Sequence, residues 1–175
     1  MTAASQLLHQ HGVEKTTLAD IAQAADVPVG NVYYYFKTKD DIIAAVIKTH
    51  IEQSRETLAS IDSRYRSPKS RLKALVDALA DQGEVIALYG CPHGSLCSEL
   101  DKRPGSPDFA LGELMLVPIQ WVQEQLQALG RDDARDLAVC LLASYQGSAL
   151  LTNTLRDPEI LARETRRLSR WIDTF

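Results

Sequence analysis

Apolar positions recur along this chain at intervals of three and four residues. Leu72, Leu75, Val76, Leu79 and Ile86 share one helical face, and Leu161, Leu168, Ile172 and Phe175 share another. No stretch alternates over strand length, so the pattern predicts an all-α fold of about nine helices. Helix starts are marked by side chains that can satisfy the first free backbone N–H groups. Thr17 with Asp20 and Thr38 with Asp41 read as capping boxes; Ser67-Pro68, Ser106-Pro107 and Asp157-Pro158 place a cap before a proline at the first helical position. Helices are expected near residues 2–11, 17–25, 29–36, 39–61, 68–88, 107–129, 132–154 and 158–173, with a short one near 94–101.

The segment Tyr89 to Pro107 interrupts the pattern with three glycines, three prolines and two of the three cysteines, and reads as the long connection of the carboxyl-terminal half. Gly130 ends one helix and Asp132 or Asp133 starts the next, so those two helices are expected to be antiparallel neighbours. The expected division is a small domain over residues 1–48 and a helical bundle over 49–175, joined by the helix that begins at Lys39. In the last two helices, Leu137, Leu141, Ser144, Ser148 and Leu151, then Leu161, Leu168 and Ile172, are expected to meet a second copy in a four-helix interface.

Composition narrows the function. A chain of 175 residues with 45% hydrophobic and 24% charged residues has the makeup of a globular domain. The formal net charge of −4 gives no global signature for nucleic acid, so any DNA contact must be local. Three cysteines argue against a disulfide-stapled scaffold and for a reducing, cytoplasmic setting, and no apolar run approaches the ~20 residues of a membrane span.

The local chemistry lies between residues 17 and 39. Leu18, Ile21, Ala22 and Ala25 share a face of one short helix; the turn Asp26-Val27-Pro28 leads into a second, in which Val32 and Phe36 can pack inward. Two short helices joined so closely suggest a helix-turn-helix. Asn31, Tyr34 and Tyr35 are then left projecting outward, with Gly30 near the helix start. Asparagine can pair bidentately with adenine and tyrosine hydroxyls reach phosphates.

The stretches Thr17-Leu18-Ala19-Asp20-Ile21-Ala22 and Val29 to Lys39 resemble the signature of the TetR family of bacterial transcriptional regulators, closely over about residues 4–50. The resemblance implies a homodimer that binds double-stranded DNA at a palindromic operator, usually as a repressor released by a small effector. Carried over residue by residue, it implies that Thr17 caps the first helix of the motif and touches a DNA phosphate. It makes Gly30, Asn31, Tyr33, Tyr34 and Tyr35 the DNA-facing segment and Lys39 a phosphate contact. Pro28 and Val29 depart from the usual hydroxyl cap and polar residue, which points to apolar contact with a thymine methyl in place of one phosphate contact. Family members usually carry a basic arm before the first helix. Residues 1–50 here hold four lysines and no arginine against five acids, so either further residues precede Met1 or binding rests on few charges.

For the effector, Tyr89, Cys91, His93, Phe109, Met115, Trp121 and Tyr145 are the candidate binding residues, with His93, Glu99 and Gln146 as polar partners. A ligand among Tyr89, Cys91, Phe109, Met115 and Trp121 is expected to act through the helix from Lys39 as a lever. Cys91, His93 and Cys97 fit no zinc spacing, and no metal or other cofactor is expected. A thiol sensor at Cys91 or Cys97 is the alternative on the same fold. A Cys/His enzyme is the alternative from another class, weakened because no accompanying acid or oxyanion motif is visible.

Overall fold

The computed structural model describes residues 1–103 and 110–175. Among the described residues there are ten helices and no strand, in accord with the expected all-α class. They are α1 (Thr2–His11), α2 (Leu18–Ala24), α3 (Val29–Tyr35), α4 (Lys39–Arg64), α5 (Pro68–Ala80), α6 (Gly83–Tyr89), α7 (Pro92–Leu100), α8 (Leu111–Ala128), α9 (Ala134–Leu155) and α10 (Pro158–Asp173).

The expected caps are present where the chain is described. Thr17 accepts the Asp20 N–H while Asp20 accepts the Thr17 N–H; Thr38 and Asp41 make the same reciprocal pair before α4. Those hydrogen bonds hold both carboxyls below the usual carboxylate range. Ser67 caps α5 with proline at its first position, and Asp157 does so for α10. The proposed start at Ser106-Pro107 lies outside the described residues.

One expected helix is two. The apolar face over 68–88 predicts a continuous element, but α5 ends at Ala80 and α6 begins at Gly83. Asp81 and Gln82 turn the chain by bonding back to Asp77 and Leu79 carbonyls. Gly83 brings its backbone near Pro158, where an added Cβ would lie 3.6 Å from the proline side chain. Apolar periodicity survives the turn because both halves bury their inner residues, Leu72 and Val76 in α5 and Ile86 in α6.

The chain forms two compact units, each taking two stretches of sequence. The first comprises Met1–Glu52 and Pro92–Leu114, and the second Gln53–Cys91 and Met115–Phe175. In the first, Leu8, Ile21, Ile42, Ile43, Val46 and Leu100 are buried, and Thr16, also buried, donates its hydroxyl to the Gly12 carbonyl at 2.8 Å. Gly12 has φ of +81°, a backbone conformation that favours glycine, and an added Cβ would also sit 3.0 Å from the Glu99 carboxylate.

The second unit is a bundle of α5, α6, α9 and α10 with the described remainder of α4 and α8. One core cluster runs through Leu58, Leu72, Trp121, Val122, Leu141 and Leu168; a second holds Ile86, Cys91, Tyr145, Ala149 and Leu161. Leu141, Leu161, Leu168 and Ile172, expected on a face between copies, are buried in the protomer's own core. Each contributes roughly 1.5–3 kcal/mol there. The apolar residues that α9 leaves exposed are Val139, Leu150, Leu151 and Leu155. The inner and outer stripes of α9 are separated by one residue step, and periodicity alone does not say which stripe faces inward.

Candidate functional site

The turn between α2 and α3 sets the second helix against the first. After α2, the Asp26 N–H bonds to the Gln23 carbonyl and the Val27 N–H to the Ala22 carbonyl. Together they close the helix with the paired bonds of a Schellman ending. Asp26 takes the left-handed conformation, φ 52°, that this ending needs and that aspartate tolerates better than most residues. Inside the first unit Leu18, Ile21, Ala22 and Val32 are buried, so α2 and α3 are fixed by their inner faces.

That packing leaves one side of α3 bare. Tyr33 is 50% exposed, Tyr34 72% and Tyr35 75%, and Asn31 is exposed beside them. The Tyr34 and Tyr35 rings meet edge to face with centroids 5.0 Å apart. Large aromatic side chains this open stabilise the protomer little, which favours a contact outside it. Gly30 fits the same reading, since a Cβ there would meet no atom within 4 Å. Folding does not require glycine at that position; close approach of another backbone would. Pro28 precedes α3 without a side-chain cap.

Two lysines frame this face. Lys39 donates to the Glu14 carbonyl at 3.1 Å, tying the start of α4 to the turn between α1 and α2. Lys37, which sequence reasoning passed over, donates to the carbonyls of Tyr33 and Tyr34, both at 3.0 Å, and lies over the Tyr34 ring. It satisfies carbonyls at the end of α3 and carries a cation to the edge of the tyrosine face. A lysine just past the last helical turn is the sequence signal for that role.

Gly30→Ala separates folding from binding. Stability should hold or rise by about 0.5–1 kcal/mol, because alanine loses less chain entropy. DNA affinity should fall. Thermal denaturation and a binding titration of the same preparation check both halves.

Of the candidate effector residues, the structure gathers some and separates others. In the second unit Cys91 is buried, with the Tyr145 hydroxyl 4.0 Å and the Gln146 Nε2 3.6 Å from its sulfur; Gln146 Nε2 also lies 3.7 Å from Met115 Sδ. Burial, with Cys91 beside it, raises the Tyr145 hydroxyl well above its ordinary pKa and keeps it a neutral donor. Trp121 belongs to the other cluster of that unit, where its Nε1 donates to Asp62 Oδ2 at 3.0 Å. His93 and Glu99 lie on α7 in the first unit, packed against α4 and α1 residues. Tyr89 is 38% exposed at the end of α6. Phe109 lies outside the described residues. Among the described residues no group of three His, Cys, Asp or Glu side chains is placed to hold a metal ion. No helix among them is long and apolar enough to cross a membrane.

Comparison with known proteins agrees with this geometry. Residues 1–46 match the family model described as bacterial regulatory proteins, tetR family. The chain is 32% identical over 166 residues to an HTH-type transcriptional regulator in the lacX 3' region of Lactococcus lactis subsp. lactis, covering 92% of this chain and 85% of that protein. It is 29% identical over 168 residues to the HTH-type transcriptional repressor DhaR of a Mycobacterium species, covering 90% and 82%. Among solved structures, a TetR transcriptional regulator from Legionella pneumophila superposes with a TM-score of 0.84 at 23% identity, covering 99% of this chain and 92% of that one.

Proposed function

Because this chain belongs to the TetR family of bacterial transcriptional regulators and binds DNA through its helix-turn-helix, we propose that it is a homodimeric repressor released from a palindromic operator by a small effector. The observation that carries the DNA half of this reading is the tyrosine pair on α3, 72% and 75% exposed with no partner that folding requires. In this reading Asn31 meets base edges, Tyr33, Tyr34 and Tyr35 meet phosphates and sugars, and Lys39 and Thr17 meet the flanking phosphates. That the Mycobacterium relative is a transcriptional repressor supports repression over activation.

The dimer face is assigned to the outer side of α9 and α10. A groove of about 550 Å³ runs between them, lined in part by Gly147, Ser148, Leu151, Arg163 and Arg167. Leu150, Leu151 and Leu155 stand 66%, 52% and 62% exposed along α9. Gly147 resembles Gly30 in having nothing within 4 Å of an added Cβ. An apolar ridge beside a glycine accepts the same surface of a second copy about a two-fold axis. In this reading the two α3 helices of the dimer meet successive turns of duplex DNA, about 34–36 Å apart.

The effector site is assigned to the surroundings of Cys91, Met115, Tyr145 and Gln146, an apolar wall with few polar atoms, as small-molecule sites require. Its link to the DNA-binding residues is covalent. Cys91 immediately precedes α7, and α4 runs from Lys39 at the DNA-facing end to Arg64 in the bundle. In this reading residues 1–48 bind DNA and 49–175 bind the effector and dimerise, with Pro92–Leu114 of that second stretch belonging to the first compact unit.

Sedimentation tests the assembly. The chain should be a dimer at micromolar concentration, and Leu151→Glu should shift it to monomer and lower operator affinity together. A monomeric wild type, or a monomeric variant with unchanged affinity, would contradict the reading.

A further inference from the structure

Three histidines of the first unit come together where α1, α4 and α7 meet. The rings of His50 on α4 and His93 on α7 pack edge to face with centroids 5.2 Å apart; His50 Nε2 is 3.0 Å from the Ser5 hydroxyl of α1; and His9, also on α1, is close enough to act electrostatically on both rings. The DNA contacts do not use them, and His93, an effector candidate by sequence, lies in the first unit whereas Cys91, Met115 and Tyr145 belong to the second. We propose that His9, His50 and His93 form a proton-operated latch that holds α7 on the DNA-binding unit at neutral pH and lets go in acid.

The groups facing the latch are the Ser5 hydroxyl and His9 from α1 and His50 from α4, and none of the charges that shift either ring is a carboxylate. A proton placed on His50 or His93 meets desolvation and like charge. Burial, then His50 and His9, push His93 down to about 4, and burial and His9 lower His50. An open latch returns His93 to an ordinary value near 6.5. The open form therefore binds more protons throughout the window from about 6.5 down to about 4, so the closed form weakens as pH falls through it.

What the latch holds lies at the end of α7 and just beyond it. Glu99 accepts the Val13 N–H at 2.6 Å in the turn between α1 and α2, one residue before the Glu14 carbonyl that anchors Lys39. Arg103 pairs with Asp40 at 2.5 Å in the first turn of α4. Releasing α7 withdraws both supports from the segments that carry Thr17 and Lys39. Only this consequence for DNA rests on the proposed function; the opening itself does not.

The test reads opening without DNA. On the full chain, exchange of the Val13 amide, corrected for the intrinsic pH dependence, should speed up about tenfold between pH 7.5 and 5.5. In His93→Phe, which keeps an aromatic ring and removes the proton site, the change should stay within twofold. If that variant folds poorly by circular dichroism, the His93 ring resonances of the wild type decide: titration below pH 5 supports the latch. Titration near 6.5, a pH-independent corrected exchange rate, or an equal acceleration in His93→Phe would overturn it.

Discussion

Replacing Trp121 with alanine should cost about 3–5 kcal/mol of folding stability, the usual range for deleting a buried tryptophan. The indole is only 7% exposed, within the cluster that includes Leu58, Leu72, Val122 and Leu141. Its loss also strands a polar network. Asp62 Oδ2 loses the indole N–H, while Oδ1 is already buried without a hydrogen bond, 3.3 Å from Arg71 Nε. Arg71 forms an ion pair with Asp62 while donating to the Tyr65 carbonyl at 2.9 Å, to Gln125 Oε1 at 3.3 Å and to the Asp62 carbonyl at 3.3 Å. Because the Asp62 side chain is 39% exposed and water can replace the indole donor, the lost hydrogen bond adds only about 0.5–1.5 kcal/mol, which Trp121→Phe isolates because it keeps most of the bulk. Urea denaturation at fixed protein concentration checks both variants; a loss below about 1.5 kcal/mol for alanine would contradict this placement. Trp121 accordingly contributes to the bundle's fold, and effector binding is better probed at Tyr145 and Gln146.

The reason sequence reasoning set Trp121 beside Cys91 is instructive. Apolar walls of a ligand site and apolar core use the same residue types, so composition does not distinguish them. What distinguishes them here is a partner 59 positions away in the chain, Asp62. The same limit applied at α7. Cys91, His93, Cys97 and Glu99 look like one chemical cluster in sequence, yet Cys91 packs with Tyr145 in one unit and His93 and Glu99 pack with His50 and Val13 in the other. By contrast, the helix-turn-helix was legible nearly residue by residue. Its caps and its turn are set by contacts within about five positions, and its inward stripe follows the spacing of Leu18, Ile21 and Ala22, with Ala25 left exposed. The break at Asp81 and Gln82 is hidden by an apolar pattern that continues across it, from Leu72 and Val76 to Ile86, although Gly83 directly after it is a helix-stopping residue.

Joint replacement of Tyr34 and Tyr35 by alanine should change stability by less than about 1 kcal/mol, since surface substitutions away from packed features do little. DNA affinity should fall roughly a hundredfold to a thousandfold. Each dimer would lose four hydroxyl contacts and their ring surfaces, and hydrogen bonds net of solvent are worth about 0.5–1.5 kcal/mol apiece. Lys37 makes the effect steeper than two exposed residues suggest, because it rests over the Tyr34 ring and loses that support. Asn31→Ala should behave differently, changing base preference at one position by about 1–3 kcal/mol while leaving the other positions alone.

The claim that the bare face of α3 reads DNA is tested most directly by one titration. Duplexes selected by the wild-type chain from a random pool are labelled, and their anisotropy is followed against wild type and the Tyr34→Ala, Tyr35→Ala double variant at one salt concentration. The account predicts a selected inverted repeat bound by two protomers and a loss of at least a hundredfold in the folded, dimeric variant. A selected sequence without repeat symmetry, or a folded dimeric variant that binds as tightly as the wild type, would contradict it.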